Sequence, residues 1–236
     1  MNRIKIAHLY YDLMNLYGES GNIKALERAF NDQDMFVEVI NLSIGDKIDF
    51  NKYDIYYIGC GTEDNQILVI NDLLKYKDKF KNAIETGKHI ILTGNSYELL
   101  GQYIEKVNEE KIETLGIFDF YSKELDKRIV GEEVLECSMF KEPIIGFQNR
   151  QCVLNNSDNH LFEVINGHAD NYKSHNEGIH YKNLYATYNL GPLLVRNPLL
   201  KDIIVKEVLD GKDIMYVKKE TIDEKAYNEF VKNFIS

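Results

Sequence analysis

The chain has 236 residues, 44% hydrophobic and 28% charged, which is ordinary globular composition, ample for a sizeable core and contrary to wholesale disorder. Its 38 acidic against 28 basic residues leave a net charge of -10, which argues against a nucleic-acid or anionic-membrane surface because neither attracts an acidic protein. No apolar run approaches the ~20 residues of a membrane span.

The opening Met1–Ile6 stretch lacks the long apolar core of a secretory leader. Cys60, Cys137 and Cys152 are odd in number and widely spaced, against both a disulfide framework and a CxxC zinc pattern. A cytoplasmic protein without metal or cofactor is expected, organised as one domain over 1–236.

In chain order, Ile4–Tyr10 reads as a strand, and 22–30 as a helix with Ile23, Leu26 and Phe30 at helical spacing. Met35–Leu42 alternates like a strand, and Asp54–Cys60 is a buried strand. Residues 66–86 read as one long helix, with a stripe of Ile67, Ile70, Leu74, Phe80 and Ile84 and Gly87 at its C-cap. Lys88–Thr93 is a strand and Ser96–Glu105 a helix that Ser96 would N-cap. This alternation implies a parallel sheet covered on both faces.

Beyond residue 110 the segments 128–138, 144–154, 160–166 and 183–189 are strand-like and separated by turns, an added mixed or antiparallel layer completing the same core. Two helices close the chain. The first, 199–209, stops near Asp210-Gly211; the second, 224–235, follows the capping-box signature Thr221-x-x-Glu224.

Ile90 to Gly101 has the strand–turn–helix pattern of a nucleophile elbow, yet Gly94 stands where a nucleophile would be. Asp12-Leu13-Met14-Asn15-Leu16-Tyr17-Gly18-Glu19-Ser20-Gly21-Asn22, Gly59-Cys60-Gly61-Thr62-Glu63-Asp64-Asn65-Gln66, Lys127–Glu132, and Tyr181 through Gly191-Pro192-Leu193-Leu194 to Asn197-Pro198 form a connected set of motifs. On these the sequence resembles class I glutamine amidotransferases of the cobyric-acid-synthase (CobB/CobQ) type, over nearly the whole chain. Within that family it most resembles the small glutaminase subunit that partners a Mur-ligase-like synthetase to amidate lipid II, a step of cell-wall peptidoglycan chemistry. The resemblance implies an α/β flavodoxin-like class I amidotransferase fold, mostly parallel.

The departures fall on catalytic positions. The family carries Cys-Gly-Gly-Tyr-Gln-Leu-Leu-Gly where this chain has Gly94-Asn95-Ser96-Tyr97-Glu98-Leu99-Leu100-Gly101, and a histidine where this chain has Leu190. In Gly146–Arg150 the family has a Glu and a His; Arg150 takes the His position, and Glu19 stands where an Asp is usual. Glutamine hydrolysis needs a thiolate on the side-chain amide and a His that moves the proton. Neither Gly94 nor Leu190 supplies these, so no site residue is expected to be catalytic.

Candidate ligand-binding residues are Arg128, Gly59, Gly61, Ser96 and Asn15. The resemblance places Arg128 near a glutamine pocket, where its guanidinium would clasp a carboxylate; the alternative is a surface ion pair with Glu124, Glu132 or Glu133. Asn15 and Asp12 follow the first strand, at the edge where open α/β sheets bind ligands, and read equally as turn formers. Cys152 reads as packing in a strand, the alternative being that Arg150 lowers its pKa. His168, His175 and His180 read as surface or loop residues.

Three functions follow. The first is a non-catalytic subunit bound to a Mur-ligase-like synthetase. The second is an amidotransferase with a relocated nucleophile, Cys60 foremost, against which stands Cys60 as a small buried hydrophobe. The third is a binding protein for glutamine or a related amino acid.

Overall fold

The computed structural model describes residues 2–155 and 157–234; Met1 and Ile235, the latter the end of the expected last helix, lie outside the described residues. The first half alternates strand and helix as its apolar periodicity requires. It runs β1 (Arg3–Leu9), α1 (Ser20–Asn31), β2 (Phe36–Leu42), β3 (Ile55–Ile58), α2 (Glu63–Leu73), α3 (Lys77–Glu85) and β4 (His89–Thr93). A second set follows: β5 (Tyr103–Glu105), β6 (Lys111–Glu113), β7 (Tyr121–Cys137), β8 (Phe140–Asn155), β9 (Phe162–Asn166) and β10 (Asn176–Glu177). The chain then adds β11 (Ile179–Tyr181) and β12 (Leu184–Thr187) and ends in α4 (Leu193–Arg196), α5 (Pro198–Asp210) and α6 (Ile222–Phe234).

The main sheet has the order β11-β12-β4-β3-β1-β2. All its neighbours are parallel except β11 with β12. The parallel strands β2-β1-β3-β4-β12 thus follow the flavodoxin-like 2-1-3-4-5 order, with its switch point between β1 and β3. β3, β4 and β12 are buried at every residue, as continuous apolar runs in a sheet covered on both faces must be.

Alternation along the strands divides the core. Ala7, Leu9, Tyr56, Ile58, Ile90 and Leu92 face Val69, Ile70, Leu73, Phe80 and Ile84 of α2 and α3. Ile4, Ile6, Ile55, Tyr57 and Ile91 face Ile23, Leu26 and Phe30 of α1 and Leu200, Ile204 and Val208 of α5. Each buried Val, Leu, Ile or Phe side chain among them contributes roughly 1.5–3 kcal/mol relative to exposure.

The expected second layer is a mixed sheet of order β10-β9-β7-β5-β6, with β8 paired to β7 as a long antiparallel hairpin; the segment 183–189, expected in this layer, instead supplies β12 of the main sheet, where its fully buried residues pair parallel with β4. It completes the same core. Ile104 and Leu154 join the cluster under α2 and α3, and Leu135, Ile144 and Phe162 the cluster under α1 and α5.

Three further sequence expectations change. The helix of 66–86 is broken at 74–76 and begins three residues earlier, because Thr62 caps it by accepting the Asn65 N–H at 3.2 Å. The break is at Tyr76 (φ -112°, ψ 7°), whose hydroxyl reaches back to Ile48 N–H and Asp46 C=O and whose ring packs edge-on to Phe50. Gly87 ends the second piece as expected, its N–H bonding Ile84 C=O and the next N–H bonding Ala83 C=O.

The helix of 96–105 does not form. Residues 94–100 are a 3-10 run, and 103–105 are strand β5. The carbonyls of Leu99 and Leu100 accept from Leu115, Ile117 and Phe118, so none is left to carry an α-helix on. Finally, His180 is not in a loop; it lies in β11, stacked on Tyr185 at 4.6 Å. Near the C-terminus Thr221 accepts the Glu224 N–H at 3.3 Å, while the Glu224 carboxylate pairs with Lys218 at 2.8 Å.

Candidate functional site

The loops at the carboxyl ends of β1, β3, β4 and β12 converge, and they carry most of the residues singled out above. Glu19, fully buried, ties them together. Its Oε2 accepts from Thr93 Oγ1 (2.6 Å), Asn22 Nδ2 (3.3 Å) and the Tyr57 hydroxyl; its Oε1 accepts the Gly191 N–H at 2.9 Å. Burial raises its pKa, opposed by the bonds from Thr93 and Tyr57.

Gly94 turns the chain at the end of β4 with φ +64°, the left-handed region that glycine enters without a Cβ penalty. A Cβ there would lie 2.5 Å from Cys60 Cβ, 2.7 Å from Cys60 Sγ and 2.9 Å from Leu190 Cδ2. Positions 94, 60 and 190, from three different strand ends, therefore meet in one packed spot. Leu190 is buried, its N–H bonded to Phe147 C=O on β8 at 2.9 Å.

Cys60 is buried, and burial pushes its thiol up to about 12. The carboxylates Glu19, Glu98 and Glu63 push the same way, while the Asn95 backbone N–H opposes them. Cys152 is no more reactive. It packs in β8 as expected, and burial and the Glu98 carboxylate raise its pKa, which leaves no place for the alternative of a lowering by Arg150. The Arg150 guanidinium is instead consumed by Gln148 Oε1 (2.7 Å) and the carbonyls of Cys152 (2.6 Å), Ala169 (2.5 Å) and Asp170 (3.2 Å), with Tyr188 stacked beneath at 4.2 Å.

Gly59 and Gly61 flank Cys60 in a crowded turn. A Cβ on Gly59 would lie 2.4 Å from Met14 C=O, and one on Gly61 2.4 Å from Met14 Sδ. Ser96 is fully buried and does not cap a helix; its hydroxyl is directed at the carbonyls of Thr93 (2.8 Å) and Ile58 (3.0 Å). Asn95 pairs both polar groups of Gly61, donating to its C=O and accepting its N–H at 3.0 Å each.

Asn15 and Arg128 stand at the exposed rim. Asn15 Oδ1 accepts the Ser20 N–H at 2.9 Å, the turn-forming role. Arg128 pairs with Glu63 at 2.5 Å and with Asn149 Oδ1 at 2.7 Å. The partner is thus none of the three acids near it in sequence: Glu124 pairs with Lys106, and Glu133 with His168. Asn149 in turn donates to the Tyr17 hydroxyl at 2.9 Å, linking the β7–β8 hairpin to the loop after β1.

Sequence reasoning missed a set of buried acids behind the turn. Glu98 accepts from Gln66 Nε2 (2.9 Å) and the Tyr188 hydroxyl (3.1 Å), and burial raises its pKa. Glu177 accepts from Thr187 Oγ1 (2.8 Å), the Tyr188 N–H (2.6 Å) and Asn189 Nδ2 (3.2 Å). Burial and the Asp170 charge push its carboxyl up to about 8. Asp170 is pushed up to about 6 by burial, against the pull of Arg150. Glu19 and Glu98 had a signal, an acid inside a family-like motif; Asp170 and Glu177 sit in a polar stretch that reads as loop.

Among the described residues, no cluster of three His, Cys, Asp or Glu is arranged to hold a metal ion, and no helix is long and apolar enough to cross a membrane.

Comparison with known proteins agrees with this architecture. Residues 5–198 match the CobB/CobQ-like glutamine amidotransferase domain. The chain is 34% identical over 226 residues to the lipid II isoglutaminyl synthase (glutamine-hydrolyzing) subunit GatD of Staphylococcus aureus, covering 96% of this chain and 92% of that protein. It is 33% identical to the same subunit of Streptococcus pneumoniae, covering 93% and 87%. Among solved structures, a glutamine amidotransferase from Thermotoga maritima superposes with TM-score 0.54 at 10% identity (99% of this chain, 92% of that one). The glutaminase domain of Trypanosoma brucei CTPS superposes with 0.55 at 9% identity (93% and 98%). The structural likenesses show a flavodoxin-like class I amidotransferase fold, and with the sequence matches the conclusion is plain: the chain belongs to the CobB/CobQ-like glutamine amidotransferase family.

Proposed function

We propose that this chain is a non-catalytic glutamine amidotransferase-type subunit whose work is to dock on a Mur-ligase-like synthetase. The relatives are named as subunits of a glutamine-hydrolysing synthase, and docking and hydrolysis use different residues, so the first can persist without the second. One observation carries the reading. The spot where an elbow nucleophile would project is occupied by Cys60 and Leu190, around a Gly94 that has no side chain.

Acyl transfer from an amide needs a nucleophile and a proton carrier. Gly94 offers the first no atom, and Leu190 is apolar. Losing triad members costs orders of magnitude in rate, and the losses overlap because the members act as a unit. Cys60 does not replace them. A thiol held near 12 is protonated at neutral pH, and the charges acting on it are carboxylates that hold it so.

The partner half of the proposal is tested by co-expression with the ligase-like protein encoded nearest to it, then size-exclusion chromatography at moderate salt. A specific interface burying roughly 1,200–2,000 Å² keeps the pair together at micromolar concentration. Co-elution supports the reading; separate elution of two folded proteins counts against this pair.

A further inference from the structure

Most strand edges of this fold are covered or short. On the outer side of β8 the Asn197 carboxamide pairs the Ile145 N–H and C=O at 2.8 and 2.9 Å, Phe147 C=O accepts from Leu190, and Leu154 N–H bonds Asp170 C=O at 2.8 Å. The edge strands β6, β10 and β11 are three, two and three residues long. Covering and shortness are two ways a sheet avoids pairing with another chain.

β2 has neither. It is seven residues long, it ends the main sheet, and its register with β1 runs without a bulge. Phe36 N–H bonds Asn2 C=O at 2.9 Å, and Leu42 C=O accepts the Tyr10 N–H at 2.5 Å. Residues that bond a given neighbour alternate along a strand. Phe36, Glu38, Ile40 and Leu42 therefore serve β1, and Val37, Val39 and Asn41 turn their N–H and C=O outward. Among the described residues nothing bonds those outward groups. The strand has no Lys or Pro to repel a neighbour, and its one charge, Glu38, pairs with Arg3 of its own chain at 3.5 Å.

We propose that β2 is the pairing edge of a two-fold symmetric dimer, with β2 of a second copy laid antiparallel to it about Val39. The outward set is its own complement. A dyad at Val39 sets Val39 opposite Val39 of the second copy and Val37 opposite its Asn41, so every outward N–H meets an outward C=O. Phe36 then faces Leu42 and Glu38 faces Ile40 across the join, and no two like charges stand opposite. Partly buried apolar side chains are covered on both faces, Val37 and Val39 on the α1 side and Ile40 and Leu42 on the α2 side. Two six-stranded sheets become one. A second copy meets all these requirements by symmetry alone. Dimerisation through β2 is independent of whether the chain hydrolyses glutamine.

The test is the mass in solution, by sedimentation equilibrium. Two copies of net charge -10 repel, so moderate salt is used. At high micromolar concentration the unaltered chain is expected at twice its 27.5 kDa. A single-chain mass up to the solubility limit would overturn the proposal. Val39→Pro removes an N–H that β1 does not use, the kind of edge position where proline is tolerated. It should run at single-chain mass with unchanged far-UV circular dichroism, and a surviving dimer would overturn the proposal. If V39P does not fold, Asn41→Lys asks the same question with the backbone intact, and the same two outcomes decide it.

Cross-linking reads the register. The dyad holds the two Val39 Cα atoms about 5.5 Å apart, within disulfide reach, and the two Glu38 Cα atoms about 8 Å apart, beyond it. The native cysteines are all buried and give little background. Oxidised V39C should therefore run as a covalent dimer and oxidised E38C as a monomer. Equal cross-linking of the two, or none in V39C, would overturn the pairing about Val39.

Discussion

Gly94→Ala is the substitution on which the packing of the elbow bears most directly. Two costs act together. An L residue at φ +64° pays about 1–2 kcal/mol against the following carbonyl. The new methyl also lies 2.5 Å from Cys60 Cβ and 2.9 Å from Leu190 Cδ2, and the Cβ of Cys60 is a branch of the backbone that cannot swing away. Overpacking of this kind costs about 1–3 kcal/mol. Together the loss is about 2–5 kcal/mol, a large share of the 5–15 kcal/mol that holds a typical fold.

Urea unfolding followed by tyrosine fluorescence reads it, since the chain has 16 Tyr and no Trp. With m of about 3 kcal/mol per molar, the midpoint falls by about 1 M. In a Cys60→Gly background the same substitution should cost less, because the nearest contacts are gone, and the difference is the coupling energy of the pair. A loss under about 0.5 kcal/mol, or an identical loss in both backgrounds, would refute the claim that positions 94 and 60 contend for one volume.

Gly94→Cys with Leu190→His should remain without glutaminase activity, because Cys60 crowds the new thiol and Asn95 fills the adjoining turn; full activity in an ammonia-release assay would refute this. Cys60 should label slowly with a thiol reagent near neutral pH, its thiol being buried and protonated, and fast stoichiometric labelling would overturn it. Glu177 titrates at about 8 against an ordinary 4.5, so the native state holds a proton the unfolded chain has lost. The stabilisation is full below about 4.5 and is lost as pH rises through about 8. Glu177→Gln should therefore lose less stability between pH 5 and 8 than the unaltered chain; equal slopes in urea midpoints at pH 5, 6.5 and 8 would contradict it.

The parallel half of the fold was legible because β3 and β4 are apolar runs, and α1 shows its face as Ile23, Leu26 and Phe30, whereas β12 reads as part of the second layer because it follows the antiparallel strands in sequence. What misled was long-range satisfaction of backbone groups. Residues 96–105 have helical spacing, yet the carbonyls of Leu99 and Leu100 are claimed by the segment 115–118, which no local pattern reveals. Tyr76 breaks a good helix for the sake of a loop almost thirty residues earlier.

At the site, positions 60, 94 and 190 meet because β3, β4 and β12 end on one edge of the sheet, which no local pattern reveals; in the sequence only the family resemblance links them. The partner of Arg128 was missed because Glu63 is 65 residues away in sequence and adjacent only through the crossing of β7 over the start of α2. The buried acids Asp170 and Glu177 were hidden for the same reason. Polar residues in a polar stretch show their burial only when Arg150 and Thr187 are brought to them.

Ammonia release from glutamine, by the purified chain alone and with the co-expressed synthetase, tests the central claim that the fold persists without its hydrolytic chemistry. The account predicts no release above background in either sample. Steady turnover, abolished by Cys60→Ala, would contradict it.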